Sequence, residues 1–298
     1  MAKVHWLALS AVSGIGGVTA KRLLERFGTI EAAIEAPVEE LGRVPRMTPD
    51  AIRQLQQVSL EVLEEQIADL SEEGIEILTW DDADYPVNLR QAADSPPVLF
   101  VKGGFREDEQ AVAVVGTREP SAPACEAARR LALGLADRGI TVVSGLALGI
   151  DTAAHRGALE AQGGRTIAVL GCGLRHVHPR SNTALAREIV DRGALVSELQ
   201  PSTPIQGRHL MARDRIIAGL SRIIVVVEAG LNSGSLDTAQ KAVAQGRLLY
   251  AMPGSEGTDD LIAKGARPIV PNNAALDDLA AATGTRLARE EPSQPSLW

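Results

Sequence analysis

From Ala111 onward, short apolar runs alternate with longer segments whose apolar residues recur at helical spacing. The runs are AVAVV (111–115), ITVV (140–143), TIAVL (166–170), ALVS (194–197), RIIVVV (222–227) and LLYAM (248–252). Each is short and nearly free of polar positions, which predicts strands buried on both faces. The segments between them, 124–138, 152–162, 183–192, 208–219 and 236–245, predict helices. Apolar strands alternating with helices imply a doubly wound, mostly parallel α/β sheet. Ligands of such sheets bind beyond the carboxyl ends of the strands.

Upstream the pattern changes. Residues 1 to about 66 show helical periodicity alone, interrupted by Gly14-Ile15-Gly16-Gly17 and by Pro45 and Pro49. The segment SGIGGVTAKRLLERFG resembles a helix-hairpin-helix element of SAM-like type, whose glycine turn offers backbone N–H groups to a phosphate. Residues 75–78 and 98–101 are strand candidates on either side of a proline-rich path, DADYPVNLRQAADSPP. After about Pro271 one weak helix, AALDDLAAA, precedes a polar end expected to be disordered. The expected division is a small all-helical domain over 1–70, the α/β domain over 71–270, and the weak helix and tail over 271–298.

Composition narrows the class. The chain has 298 residues, 45% hydrophobic and 23% charged, as in an ordinary globular protein, and only 3% aromatic, so its core must be aliphatic. No apolar run is long enough to span a membrane, and MAKVHWLALSAVSG runs into a helical pattern rather than a signal peptide. Cys125 and Cys172 lack metal-type spacing and suit small buried residues in a reducing cytoplasm. The net charge of −8 argues against a polyanionic partner until it is mapped. Residues 1–100 hold 8 basic and 17 acidic residues, net −9, while residues 101–298 hold 22 and 21, net +1. The acid is N-terminal, so the α/β part can still carry a basic face.

The stretch TVVSGLALGIDTAAH (141–155) reads as a strand, a tight glycine turn and the start of a helix, with Asp151 expected as its N-cap. Backbone N–H groups at such a helix start suit an anion. Neighbouring strand ends carry similar residues: Gly116-Thr117-Arg118, Ser144-Gly145, Gly171-Cys172-Gly173 with Arg175 and Asn182, and Ser233-Gly234-Ser235. Repetition at one sheet edge suggests a groove lined with backbone donors. Arg118, Arg175, Arg213 and Arg215 supply charge, and Arg213 and Arg215 fall near a helix start, where cations are disfavoured unless an anion compensates. Asp151, His155, Glu198 and Glu228 are the titratable groups at this edge. Ser-His-Asp order, zinc spacing, a P-loop and a PGGxGTxxE motif are all missing from the sequence. No catalytic residue, metal or cofactor is therefore expected.

These motifs, in order, are YP followed by SPPVLFVKG, VVGTREPS, SGLALGIDTAAHRGAL, IAVLGCG with HPRSN, GALVSE, RDRIIAGLS, VVVEAGLNSGSLDTAQKA, and GRLLYAMPG with LIAKGA. Together they resemble the DNA-processing protein A (DprA, Smf) family over about 85–266. The resemblance implies an extended Rossmann-like fold that binds single-stranded DNA without a cofactor and dimerises through that domain. It further implies a cytoplasmic protein that protects incoming DNA and helps load the RecA recombinase in natural transformation. By motif position Arg118 and Arg175 would hold the strand, with Ser144, Gly145 and Arg213 nearby. His178 stands where the family usually has an aromatic, HLMARDR replaces FPxRNR so that Asp214 stands for Asn, and the winged-helix tail of many members has no counterpart after Ala266. The competing expectation is a phosphoribohydrolase-like nucleotide enzyme or sensor in which Asp151 or Glu228 acts on a sugar.

Overall fold

A computed structural model describes residues 2–107 and 109–284. Six helices come first: α1 (Ala2–Ala11), α2 (Gly17–Phe27), α3 (Ile30–Ile34), α4 (Val38–Leu41), α5 (Pro49–Gln56) and α6 (Leu60–Glu72). Their starts follow local chemistry. The hydroxyls of Thr29, Thr48 and Ser59 accept from the backbone three residues on, and Pro49 opens α5 where its missing N–H costs nothing.

A bridge follows, with β1 (Ile75–Thr79), the short α7 (Val87–Arg90) and β2 (Val98–Gly103). Tyr85 fixes the proline-rich path by donating to the Pro96 carbonyl at 2.6 Å. The remaining elements alternate: β3 (Ala111–Val115), α8 (Ala122–Ala136), β4 (Thr141–Ser144), α9 (Ile150–Glu160), β5 (Thr166–Val169), α10 (Thr183–Arg192), β6 (Ala194–Ser197), α11 (Gly207–Leu220), β7 (Ile223–Val226), α12 (Ser235–Ala244), β8 (Leu248–Ala251), α13 (Glu256–Ala263), β9 (Arg267–Pro268) and α14 (Asn273–Gly284). The weak helix expected after Pro271 is α14; the end expected to be disordered lies, from residue 285, outside the described residues.

All nine strands form one sheet in the order β1-β2-β6-β5-β4-β3-β7-β8-β9. The seven from β6 to β9 are parallel, and β2 pairs antiparallel with both β1 and β6. Alternate residues of the central strands feed opposite layers. Ala111, Ala113 and Val115 pack with α11 and α12, while Val112 and Val114 pack with α8, α9 and α14. That is why these strands read as unbroken apolar runs. A third cluster joins the N-terminal helices to the sheet, with Trp6, Leu7, Leu9 and Leu63 packed in one core with Phe100, Leu170 and Ile189. The glycine hairpin belongs to this contact: a Cβ on Gly17 would lie 2.0 Å from the Ser95 carbonyl oxygen.

Candidate nucleic-acid interface

The sheet reverses its winding between β3 and β7. Strands β4, β5 and β6 follow β3 in one direction, and the chain then crosses back to place β7, β8 and β9 in the other. Loops leaving β3 and β7 diverge there, which opens a crevice at the switch point. A cavity of ≈ 300 Å³ occupies it. One wall is Gly116-Thr117-Arg118 after β3, and another is Ser233-Gly234-Ser235 at the start of α12. Leu210, Met211, Asp214 and Ile217, at helical spacing on α11, form the third, and Ala147 and Asp151 reach in from the β4–α9 turn. The β3 loop is pinned, since Thr117 N–H donates to the Glu228 carbonyl at 2.8 Å and its carbonyl accepts from Ile150 N–H at 3.2 Å. Gly149 permits this approach. It has φ +78°, and a Cβ there would lie 2.4 Å from the Thr117 oxygen.

The β4–α9 turn differs from the sequence expectation. Gly149, not Asp151, is the N-cap of α9. Asp151 lies in the first turn of the helix, and its carboxylate accepts from the N–H groups of Gly145 (3.1 Å) and Ala147 (3.3 Å). The donors expected to meet a phosphate already hold an internal anion. Asn182 secures the same turn, donating to the Leu146 carbonyl at 2.9 Å and to the Thr152 hydroxyl at 2.8 Å. Leu146 is thereby kept at φ +61°, unusual for a side chain with a Cβ. Ser144 is fully buried and donates to the Val114 carbonyl.

The four arginines separate sharply. Arg213 and Arg215 lie in the middle of α11, not near its start, because the helix begins at Gly207. Arg213 is buried. Its Nη1 donates to the Val169 carbonyl at 2.7 Å, and its guanidinium fills the space a Cβ on Gly145 would need. Arg215 points away from the cavity to Glu198 at 2.6 Å and Asp94 at 3.6 Å. Arg175 is bound to Glu73 of the helical region and to Ser202. Its guanidinium holds the Glu73 carboxyl below the usual carboxylate range. Of the four, Arg118 alone combines exposure and a place on the cavity wall with the absence of any hydrogen bond or ion pair among the described residues.

The glycine repetition has a packing cause that the sequence reading did not allow. A Cβ on Gly116 would meet Ile150 and the Glu228 carbonyl; on Gly171, Leu210; on Gly173, the carbonyls of Gln200 and Pro201. Gly171, Gly173, Arg175 and Asn182 are not among the residues lining the cavity.

Residues 76–280 match the family described as DNA recombination-mediator protein A. The chain belongs to that family. Residues 7–57 match a SAM-like helix-hairpin-helix tandem. The Smf protein of Synechocystis is 37% identical over 94% of this chain and 73% of its own. The DNA processing protein DprA of Bacillus subtilis is 38% identical over 68% of this chain and 71% of its own. Among solved structures, DNA processing protein A from Streptococcus pneumoniae superposes with a TM-score of 0.79 at 31% identity, covering 92% of this chain and 97% of that one. The protein from Helicobacter pylori, whose structure was described for its single-stranded DNA binding mode, gives 0.63 at 29% identity over 69% of this chain and 96% of that one.

In this member of the recombination-mediator family, acids crowd the base of the cavity. Burial raises Asp214 to about 7; Asp151 and Asp237 push the same way and the Arg213 charge pulls against them. Burial also raises Asp151, opposed by Arg213 and by the backbone donors of the turn. His155 lies beneath, fully buried, with Nδ1 2.7 Å from the Thr166 hydroxyl. Burial and the Arg213 charge lower it to about 3. The groups weighed for sugar chemistry have structural partners. Asp151 holds the turn, and Glu228 accepts from Ser121 N–H at 3.1 Å and from its hydroxyl at 2.7 Å, at the start of α8. A larger cavity of ≈ 460 Å³ opens at the amino ends of β5 and β6. Two of its arginines are committed, the buried Arg165 to Glu109 at 2.7 Å and the half-buried Arg192 to the carbonyls of Leu159, Ala161 and Gly164. No helix among the described residues is long and apolar enough to cross a membrane, and none of their His, Cys, Asp and Glu side chains group to hold a metal.

Of the residues singled out from the sequence, Gly116, Thr117, Arg118, Arg213, Ser233, Gly234 and Ser235 meet at the cavity. Met211 and Leu210 were missed. Their signal was the 210, 214, 217 spacing, with Met211 one turn before Asp214, on a helix that runs beside the switch point.

Proposed function

We propose that the chain binds single-stranded DNA at the switch-point cleft, without a catalytic step, and passes the strand to the RecA recombinase in the cytoplasm during transformation or recombination. The observation that carries the reading is Arg118. It is an uncommitted, exposed guanidinium on the β3 loop, directly across the crevice from the hydroxyls and backbone at the start of α12. Arginine suits phosphate oxygens through paired N–H donors, and the helix start across the crevice favours the same charge. The family relationship and the single-stranded DNA binding mode described for the Helicobacter relative support the same reading. We also propose pairing of two copies through the α/β domain.

The experiment is a titration of single-stranded and duplex oligonucleotides at two salt concentrations. Single strands bind preferentially and with strong salt dependence. Arg118→Ala weakens binding and lowers the salt slope by about 0.7, the value for one phosphate on a single strand. Arg175→Ala leaves the slope unchanged, because that guanidinium is held by Glu73. Equal affinity of Arg118→Ala and the parent chain removes the basis for the assignment.

A further inference from the structure

We propose that the cavity at the amino ends of β5 and β6 is a second binding site, one that takes a small nucleoside phosphate rather than a strand. Its volume of ≈ 460 Å³ falls within the range of about 300–1,000 Å³ for small-molecule pockets. Three loops wall it: Gly103 to Arg106 after β2, Gly163 to Arg165 before β5, and Val190 to Gly193 at the end of α10. The switch-point cleft lies at the opposite, carboxyl ends of the strands, so the length of β5, about 10 Å, separates the two. A ligand seated between these loops does not touch Arg118 or the start of α12.

The walls offer donors and few free acceptors. Arg165 grips Glu109 through Nε at 2.7 Å and Nη2 at 2.9 Å, and donates to the carbonyls of Gly104 and Arg192. Arg192 donates to the carbonyls of Leu159, Ala161 and Gly164 and has no carboxylate partner among the described residues. These two guanidiniums brace the loops against one another and use up their carbonyl oxygens. The N–H groups stay open, since those of Gly163 and Gly193 meet no acceptor among the described residues. Arg106 is exposed in the lining, and its guanidinium has no hydrogen bond or ion pair among the described residues. Its backbone N–H donates to Glu109 at 2.9 Å, which ties its loop to the Arg165 pair. Three guanidiniums thus stand beside two carboxylates, Glu109 and the exposed Asp191. Excess positive charge next to unclaimed N–H groups suits a phosphate monoester, which carries nearly two negative charges at pH 7. Phe105, half-buried and packed on a core layer of the sheet, gives a base a flat face to lie on. Gly104 is a glycine that the fold does not require. Its φ lies outside the left-handed region and a Cβ there would meet nothing within 4 Å. At Gly103, Gly164 and Gly193, by contrast, a Cβ would lie 2.2, 2.0 and 1.8 Å from a carbonyl oxygen. A side chain at position 104 fits the backbone and fills the cavity, so the glycine keeps the cavity open.

The test is isothermal titration calorimetry of the full chain with adenosine monophosphate, adenosine and inorganic phosphate. Adenosine monophosphate binds saturably, at one site per chain. It binds at least about 5-fold more tightly than inorganic phosphate, the least that one stacked base contributes. It binds at least about 10-fold more tightly than adenosine, which lacks the charged group. Arg106→Ala weakens it about 10-fold, as for the loss of one charged hydrogen-bond donor. Gly104→Leu abolishes it by filling the cavity. A thermal melt checks that both variants fold, and their affinity for a labelled oligothymidine strand matches that of the parent. On the unaltered chain, saturating oligothymidine leaves nucleotide binding in place, a comparison that needs no variant. If adenosine monophosphate does not bind, or oligothymidine displaces it, or Arg118→Ala and not Arg106→Ala removes it, the second site is overturned and strand binding is judged on its own titration. Equal binding of adenosine monophosphate and inorganic phosphate overturns the nucleoside assignment. If no strand binds, the cleft reading falls, and the nucleotide titration with the Arg106 and Gly104 variants still decides this site.

Discussion

Arg213 is where sequence and structure assign different work to one residue. As a cation expected near a helix start it suggests an external anion or a carboxylate partner such as Asp214; in the fold it is an internal brace that does pair with Asp214. Its guanidinium joins the end of β5, through the Val169 carbonyl, to the acid of Asp214, and it lies directly under the Gly145 backbone. Arg213→Met leaves a buried carboxyl group without its counter-charge and a carbonyl without its donor, a loss of about 3–5 kcal/mol by precedent for broken buried pairs. Lysine is a poor substitute because it cannot serve both partners with a planar fork. Gly145→Ala forces a methyl group into the guanidinium and costs about 1–3 kcal/mol. Urea denaturation of the two variants checks both values. Stability within about 0.5 kcal/mol of the parent would show that the brace is dispensable. The arginine was legible as unusual. Its role was not, because Val169 is 44 residues away and leaves no local signal. Arg175 was opaque for the same reason, its partner Glu73 lying 102 residues upstream.

Among the elements, the strands were the most legible part. Each of the six apolar runs became a strand within one residue at either end, because burial on both faces leaves few polar positions in the pattern. The turns were less legible, since an Asp at a helix start reads as a cap whether it caps or, like Asp151, turns back onto the loop. The packing of α9 and α11 beneath the cavity has a consequence that no single segment reveals. His155 on α9 is held to about 3, below its ordinary 6.5. As pH falls below 6.5 the unfolded chain takes a proton that the folded chain refuses, and stability drops by up to about 1.4 kcal/mol per pH unit. Asp214 on α11 is raised to about 7 from 3.8. There the folded chain binds the proton first, so this residue adds stability as pH falls through 7 and loses it as pH rises. The two contributions oppose each other between about pH 4 and 6.5. Relative to the parent, Asp214→Asn therefore loses stability on going from pH 7 to 5, while His155→Gln gains. Denaturation curves at three pH values separate the cases, and parallel pH profiles for both variants would exclude the linkage.

At the scale of the molecule, the acidic first hundred residues and the neutral remainder share one core. Trp6 lies against Trp80 with ring centroids 5.7 Å apart and donates to Asp81 at 2.6 Å, and the helices cover Phe100, Leu170 and Ile189 of the sheet layer. Removing residues 1–66 uncovers that apolar face, an exposure of the kind that drives aggregation. The truncated chain is expected to be insoluble, or to melt far below the parent, so lost DNA binding in it would say nothing about where DNA binds. Charge is the better probe. Glu61, Glu64 and Glu65 are exposed on α6 and can become glutamine without disturbing the core. If the acidic surface only adds to the general field, screening confines its effect to within about 10 Å at 0.1 M salt. Single-strand affinity then changes less than about twofold there and somewhat more at low salt. If that surface docks the protein that receives the strand, the same variant keeps its DNA affinity but loses RecA loading, measured as recombinase filament assembly on coated single strands. The charge map favours the second outcome, because the net acidic excess falls in residues 1–100, none of which lines the cleft, so it can serve a partner without joining the strand's binding wall.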